Sequence, residues 1–239
     1  MSVISDVVKE YKYKTELHAH TSPASNCSHV AARETVRLYA ELGCHALVLT
    51  NHYNEFSTKE IYGRCLTPED YLYDYYEALD EGAKLGVRVI LGAELRFTEN
   101  GNDYLVYGIE PSDIERFERY FDKGIECFYR ECKTKKNLIL QAHPFRKNMV
   151  LAPLDSIDGI ESFNLHSGHN GAVGKAARYA RDNRLIVSGG SDFHEIHHAG
   201  ACFMRTRELP RDSFDVADML REKDYFFDVS GSYIFPYEY

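Results

Sequence analysis

Short apolar runs recur along the chain, and each gives way to a polar turn. Tyr13 to Leu17, Ala46 to Thr50, Val87 to Ala93, Asp103 to Ile109, Leu138 to Ala142, Gly159 to Asn164 and Leu185 to Ser188 read as seven strands. Amphipathic stretches lie between them. Val36, Tyr39 and Ala40 share one helical face, which Gly43 ends. Thr67-Pro68-Glu69-Asp70 predicts a helix start, and that helix should run to about Leu85 before Gly86. Ser112-Asp113-Ile114-Glu115 has capping-box spacing and opens a helix whose face is Ile114, Phe117, Phe121, Ile125 and Phe128. Val173, Ala176, Ala177 and Ala180 mark another, and a last helix falls near Phe214 to Arg221. Two stretches lack any period: Thr21 to His29, and Tyr53 to Leu66, the longest candidate active-site loop. Strand and helix alternate with no linker, repeat or low-complexity stretch, which predicts one α/β domain over residues 1–239 with a parallel sheet.

Polar groups collect at the strand ends. Alternation along Tyr13 to Leu17 sends His18 and His20 to one face as the strand gives out. His52, Glu94, His143, and Asp192 with His194 close other apolar runs. Clustered imidazoles and carboxylates desolvate and repel one another unless a cation lies between them. The seven groups exceed the needs of one tetrahedral ion, so two or three ions are implied, with Glu94 a natural bridge. Mixed nitrogen and oxygen donors suit Zn, Mn or Fe.

Composition narrows the classes. Charged residues make up 27% and hydrophobic residues 44% of 239 residues, as expected of a soluble globular chain. A net charge of −9 predicts no bulk attraction for duplex nucleic acid or an anionic membrane. No run reaches the ~20 apolar residues of a membrane helix. Met1 to Lys14 is polar and lacks the apolar core of a signal peptide, so a cytoplasmic location is expected. The six cysteines form no CxxC pair and are expected as free thiols, with Cys27 close to the histidine cluster.

His18-Ala19-His20-Thr21, Thr50-Asn51-His52, Gly92-Ala93-Glu94, Ala142-His143-Pro144 and Gly190-Ser191-Asp192-Phe193-His194 resemble, in order, the motifs of the polymerase and histidinol phosphatase (PHP) superfamily. The Gly159 to Asn164 strand is similar too, and the resemblance spans Glu16 to about His194. It implies a distorted seven-stranded (β/α)7 TIM-like barrel with two or three metal ions at the strand ends. It implies hydrolysis of a phosphoester, on a small phosphorylated substrate or short nucleotide. By resemblance, one ion takes His18, His20, Glu94 and Asp192, a second Glu94 and His143, and a third His52 and His194. His52, Glu94 and Asp192 are the expected catalytic groups. Three positions depart from the family's usual residues: Asn26 where His or Asp often stands, Asp103 and Tyr104 where a His is common, and Asn51 in place of Asp.

Two-metal chemistry would make a water acidic and stabilise charge on the attacking and leaving oxygens. A phosphate also calls for fixed positive charge. Arg146, three residues past His143, and Arg96, after Glu94, are the candidates. His166 and His169 could reach substrate but read more readily as an exposed polar loop, and His197 and His198 as a solvated turn. A metal-dependent amidohydrolase is the alternative activity, though Glu94 stands where those barrels usually carry a lysine; a non-catalytic metal-binding domain is the other.

Overall fold

The computed structural model describes residues 3–56, 63–64 and 66–237. The long loop expected between Tyr53 and Leu66 falls partly outside them, as does Cys65. The strands are β1 (Tyr13–Ala19), β2 (Ala46–Leu49), β3 (His52–Tyr53), β4 (Arg88–Leu91), β5 (Ala93–Arg96), β6 (Asp103–Tyr107), β7 (Leu138–Gln141), β8 (Gly159–Asn164), β9 (Ile186–Gly190), β10 (Phe203–Thr206), β11 (Phe226–Val229) and β12 (Ser232–Ile234). The helices are α1 (Val3–Glu10), α2 (Ala32–Glu41), α3 (Pro68–Leu85), α4 (Pro111–Phe117), α5 (Gly124–Cys132), α6 (Val173–Asp182) and α7 (Ser213–Glu222).

Two six-stranded sheets result, ordered β12-β11-β10-β1-β2-β4 and β3-β5-β6-β7-β8-β9. The expectation of a TIM-like barrel holds as a mixed α/β fold; the pairings among the described residues trace no closed ring of seven strands. Each of two expected strands is split. Ala46 to Thr50 continues into β3, and Val87 to Ala93 continues through Gly92 into β5, so Glu94 sits inside a strand rather than at its end. A Cβ on Gly92 would meet the Thr50 and Val48 side chains at 2.9 Å, so the chain bends here at a residue that has none. The Tyr71 hydroxyl lies 3.1 and 2.9 Å from the Asn51 and Gly92 carbonyl oxygens, spanning both bends. Beyond β9, the Phe193 N–H donates to the His18 carbonyl (3.2 Å) and the His20 N–H to the Phe193 carbonyl (2.9 Å). The last strand motif is thereby tied to the first.

The sheets are not wholly parallel. β6 runs antiparallel to β5 and β7. Only residues 97–102 separate β5 from β6, too few for the crossover that a parallel pair needs. β10, β11 and β12 add an antiparallel edge, pairing β10 to β1.

Apolar alternation divides the interior. Leu17, Val48, Ile90 and Leu105 point into one core, while Leu47, Leu49 and Val89 face α2 and Tyr39 in a second. The helix expected from Ser112 breaks in two. Its start is Glu110, with Pro111 at the first helical position, and Gly124 interrupts it at φ 78°. The Glu99 carboxylate fills the space a side chain at 124 would need and accepts the Ile125 N–H at 2.9 Å. All five expected face residues are nonetheless buried. Among the described residues, no helix is long and apolar enough to cross a membrane.

Candidate metal centre

His18 and His20 leave β1 on the same face, both fully buried. Their proton positions follow from their partners. The His18 Nδ1 lies 2.8 Å from the Glu161 Oε1, and an ionised carboxylate only accepts, so Nδ1 donates. The His20 Nδ1 lies 3.1 Å from the Ser25 Oγ. That hydroxyl gives its proton to the Asn51 Oδ1 (2.9 Å), itself marked as an acceptor by the Thr21 N–H, so His20 also donates through Nδ1. In its neutral form each ring therefore has its lone pair on Nε2. The two Nε2 atoms stand 3.0 Å apart, and both lie 3.3 Å from the Asp192 Oδ1. Glu94 completes the group, its Oε1 3.4 Å from His18 and its Oε2 3.3 Å from His20.

Glu94 reaches the remaining ligand candidates as well. Its Oε1 is 3.2 Å from the His143 Nε2 and its Oε2 is 2.9 Å from the His52 Nδ1. The latter pair is close but not aligned as a hydrogen bond, and both atoms are buried without a partner. Two donors crowding one point in this way suit a shared cation better than each other. Asp103 faces the same point, its Oδ2 3.8 Å from His143, while the Tyr104 hydroxyl turns away to Asn102. The His194 Nδ1 donates to the Asp192 carbonyl at 2.8 Å, which leaves its Nε2 for other partners. The His20 ring lies between His52 and His194, with centroids 4.5 and 4.2 Å away. All seven residues read from the strand ends thus converge. The donor set, with lone pairs turned inward in a buried pocket, fits divalent transition-metal ions.

Charge reinforces this. Burial alone would lower the His18 pKa, but Glu161, Asp192 and Glu94 hold it well above its ordinary value. Burial, then His194 and His52, hold His20 well below its own. Burial would raise Glu94 and Asp192, yet His52 and His18 outweigh it at the first and His18, His20 and Arg146 at the second. Both carboxyls stay charged, so negative charge is concentrated among the ring nitrogens.

Sequence reasoning missed the groups that orient these ligands. Glu161 supports His18 through one oxygen; its other oxygen accepts the His143 N–H (3.1 Å) and the Asn164 side-chain amide (2.9 Å). Glu16 accepts the backbone N–H groups of His18 and Ser191, both at 3.0 Å. The available signal was a glutamate inside an apolar strand, and for Glu16 its shared face with His18 and His20. Asn51 is no ligand here; it holds Ser25 and through it His20. Cys27, one residue past Asn26, is exposed at the cleft and stands against His194 and His52. Burial would raise its thiol, but hydrogen bonds from His194 and His52 bring it down to about 6. Two ligand candidates, His143 (φ 31°) and Asp192 (φ 51°), occupy the left-handed region, a strain found at functional sites.

A cleft of about 480 Å³ opens above the cluster, lined by His52, Asp103, His143, Asp192 and His194 among others. Both arginine candidates line it, and both are engaged. Arg146 pairs with the Asp192 Oδ2 and donates to the Asn164 Oδ1 at 2.7 Å. Arg96 grips both Asp103 oxygens, at 2.7 and 2.6 Å. His166 and His198 do not sit in an open loop as expected: both line the cleft, and His198 is 5% exposed.

No family model and no curated protein matches the sequence. Solved structures do match. A two-domain protein from Bacteroides vulgatus, described as containing a predicted PHP-like metal-dependent phosphoesterase, superposes with a TM-score of 0.66 over 90% of this chain at 19% identity. The two share a fold. This chain spans 64% of the Bacteroides protein's length. PsfC from Pseudomonas syringae matches with a TM-score of 0.55 at 18% identity, over 80% of each chain. A protein from Bifidobacterium adolescentis, provisionally named a metal-dependent phosphoesterase, matches with a TM-score of 0.50 at 15% identity, over 76% of this chain and 87% of its own. At such identities the PHP-like likeness concerns the fold, and the site rests on its own geometry.

Proposed function

We propose that the protein is a metal-dependent phosphoesterase acting on a phosphomonoester or a nucleotide phosphoester, a small phosphorylated metabolite or short nucleotide. The observation that carries this is the pair of imidazole Nε2 atoms, 3.0 Å apart, facing two ionised carboxylates. His18, His20, Glu94 and Asp192 would hold one ion, and Glu94 with His143 a second, with Asp103 close to it. His52 and His194 would hold a third. Such ions polarise phosphoryl oxygens and lower the pKa of water.

The chain's own residues do the rest. Glu161 and Ser25 keep the two Nε2 atoms aimed inward. Glu94 joins the sub-sites through its two oxygens. Arg146 holds Asp192 in place and brings a guanidinium to the cleft wall beside it. His52 and His194 reach the cleft surface, and without a third ion they are the groups able to hand a proton to a leaving oxygen. The seven-stranded barrel reading is supported by the hydrogen bonds between the ends of β1 and β9, which bring Asp192 beside His18.

The test is elemental analysis after incubation with Mn or Zn, followed by phosphate release from aryl phosphates and mononucleotides. At least two ions per chain are expected, and Glu94→Gln and Asp192→Asn should abolish release while leaving the fold intact. A reconstituted protein that holds no metal overturns the proposal. One that cleaves N-acyl substrates and releases no phosphate supports the amidohydrolase reading instead.

A further inference from the structure

The cleft histidines divide into two kinds. His18, His20 and His194 donate through Nδ1, so in the neutral ring their Nε2 atoms carry the lone pair. His166 and His198 are wired in the opposite sense. The Gly168 backbone N–H donates to the His166 Nδ1 at 3.0 Å. The His194 backbone N–H donates to the His198 Nδ1 at 3.3 Å. A backbone N–H has no acceptor role, so both Nδ1 atoms carry the lone pair. A neutral ring then bears its proton on Nε2.

These two rings are neighbours, 4.2 Å between centroids, and both face the cleft. His166, His194 and His198 bring ring nitrogens within 4.8 Å of one another, a grouping that by proximity alone could pass for a three-histidine metal site. Proton placement argues otherwise. An Nε2 that bears hydrogen has no lone pair to give an ion, so His166 and His198 offer donors where His194 offers an acceptor. Gly168 is part of the device: a Cβ there would come within 3.0 Å of the His166 Cε1.

We propose that His166 and His198 form a neutral two-donor clamp for phosphoryl oxygens in the cleft, beside His194. The clamp rests on the phosphoesterase reading and names the part of the site that would receive the substrate's outward oxygens. Arg96 and Arg146, the cationic side chains expected for this task, are already committed to Asp103 and to Asp192 with Asn164. Uncharged donors add hydrogen bonds beside metal ions without adding to the positive charge already there. They suit a phosphoryl group whose charge the ions neutralise.

Inorganic phosphate is the probe, titrated calorimetrically into the metal-reconstituted protein. His166→Phe keeps a ring and removes the donor; it should weaken phosphate binding about tenfold and raise KM for an aryl phosphate similarly, with kcat little changed. His166→Gln restores an N–H donor and should recover most of the loss. His197→Ala, whose exposed ring pairs with Glu195, should leave binding unchanged. Metal content should be the same in all. Loss of an ion in His166→Phe would make the residue a ligand and overturn the clamp, as would unchanged phosphate affinity. Side-chain 15N NMR of the metal-loaded protein reads the tautomers independently of any substrate: Nε2–H on both rings supports the clamp, and Nδ1–H on either overturns it. A parent protein that binds no phosphate also overturns it, and phosphoester turnover then decides separately whether the phosphoesterase reading stands.

Discussion

Replacing Glu161 with glutamine should damage the metal centre more than its position behind the ligands suggests. The side chain is 1% exposed and of nearly the same volume as glutamine, so no cavity results. What changes is the donor count. The carboxylate accepts three hydrogen bonds: from the His18 Nδ1 at 2.8 Å, the His143 N–H at 3.1 Å and the Asn164 amide at 2.9 Å. A glutamine has one oxygen and one NH2. With the oxygen toward His18, its NH2 faces two donors. With the NH2 toward His18, that ring must turn its lone pair to Nδ1 and withdraw it from the cleft.

Each arrangement sacrifices at least one charge-assisted bond, worth about 1.5–3 kcal/mol. Loss of a group that orients a metal-binding histidine costs roughly 10–100-fold in metal affinity, which agrees. Asn164 also donates to the Asp192 Oδ2 at 3.1 Å, so the disturbance reaches a second ligand. The assay is chelator competition for Zn or Mn, with circular dichroism and a melting curve on the metal-free protein. A stability loss of about 1–3 kcal/mol should lower Tm by roughly 2–4 °C per kcal/mol. A folded Glu161→Gln protein whose metal affinity equals that of the parent would refute the reasoning: His18 would then be oriented by its backbone alone.

Two further outcomes follow from the same contacts. Arg146→Ala should lower catalytic efficiency on phosphoesters roughly ten- to a hundred-fold by removing the charge-assisted contact that holds Asp192 in place, while metal content, measured by elemental analysis, holds; unaltered efficiency would show that Asp192 needs no support from Arg146. Because the Cys27 thiol is brought down to about 6, its alkylation by iodoacetamide in the metal-free protein should rise through that pH and level off above it, and a rate still climbing toward the ordinary thiol value of 9.0 would refute the assignment.

The ligand candidates were legible because strand geometry writes them locally. His18 and His20 follow an apolar run at two-residue spacing, and that spacing alone aims both at one point. The α3 boundaries were legible for the same kind of reason: Thr67 and Asp70 form the capping box and Gly86 takes the left-handed turn at φ 74°. What could not be read depends on partners far along the chain. Arg146 looks like a free guanidinium until Asp192, 46 residues on, is folded against it. Arg96 meets Asp103 only because a short turn makes β6 antiparallel and sets the two opposite each other. The β10–β12 edge was missed because its strands are short and rich in Phe and Tyr, so the two-residue period is faint. α1 lies in a polar stretch and draws part of its stability from elsewhere: the Arg205 guanidinium donates to the Val8 and Tyr11 carbonyls at its C-terminal end.

The register between the two ends of the site is also set by a residue that is not a ligand candidate. Glu16 lies two residues before His18 in β1, and its carboxylate accepts the N–H of Ser191, the residue before Asp192. The same carboxylate accepts from the Tyr39 hydroxyl at 2.8 Å, which anchors it to α2. Burial raises its pKa to about 6 although hydrogen bonds from Ser191, His18 and Tyr39 pull the other way, so at neutral pH the charged acceptor predominates. Gly190 allows the approach: a Cβ there would lie 2.5 Å from the His18 Cβ. Asp192 therefore reaches His18 and His20 because the chain beside it is clamped to β1, and its left-handed backbone is held by that clamp. A ligand set positioned from behind in this way is preorganised, and a metal ion entering it need not do the work of assembling it.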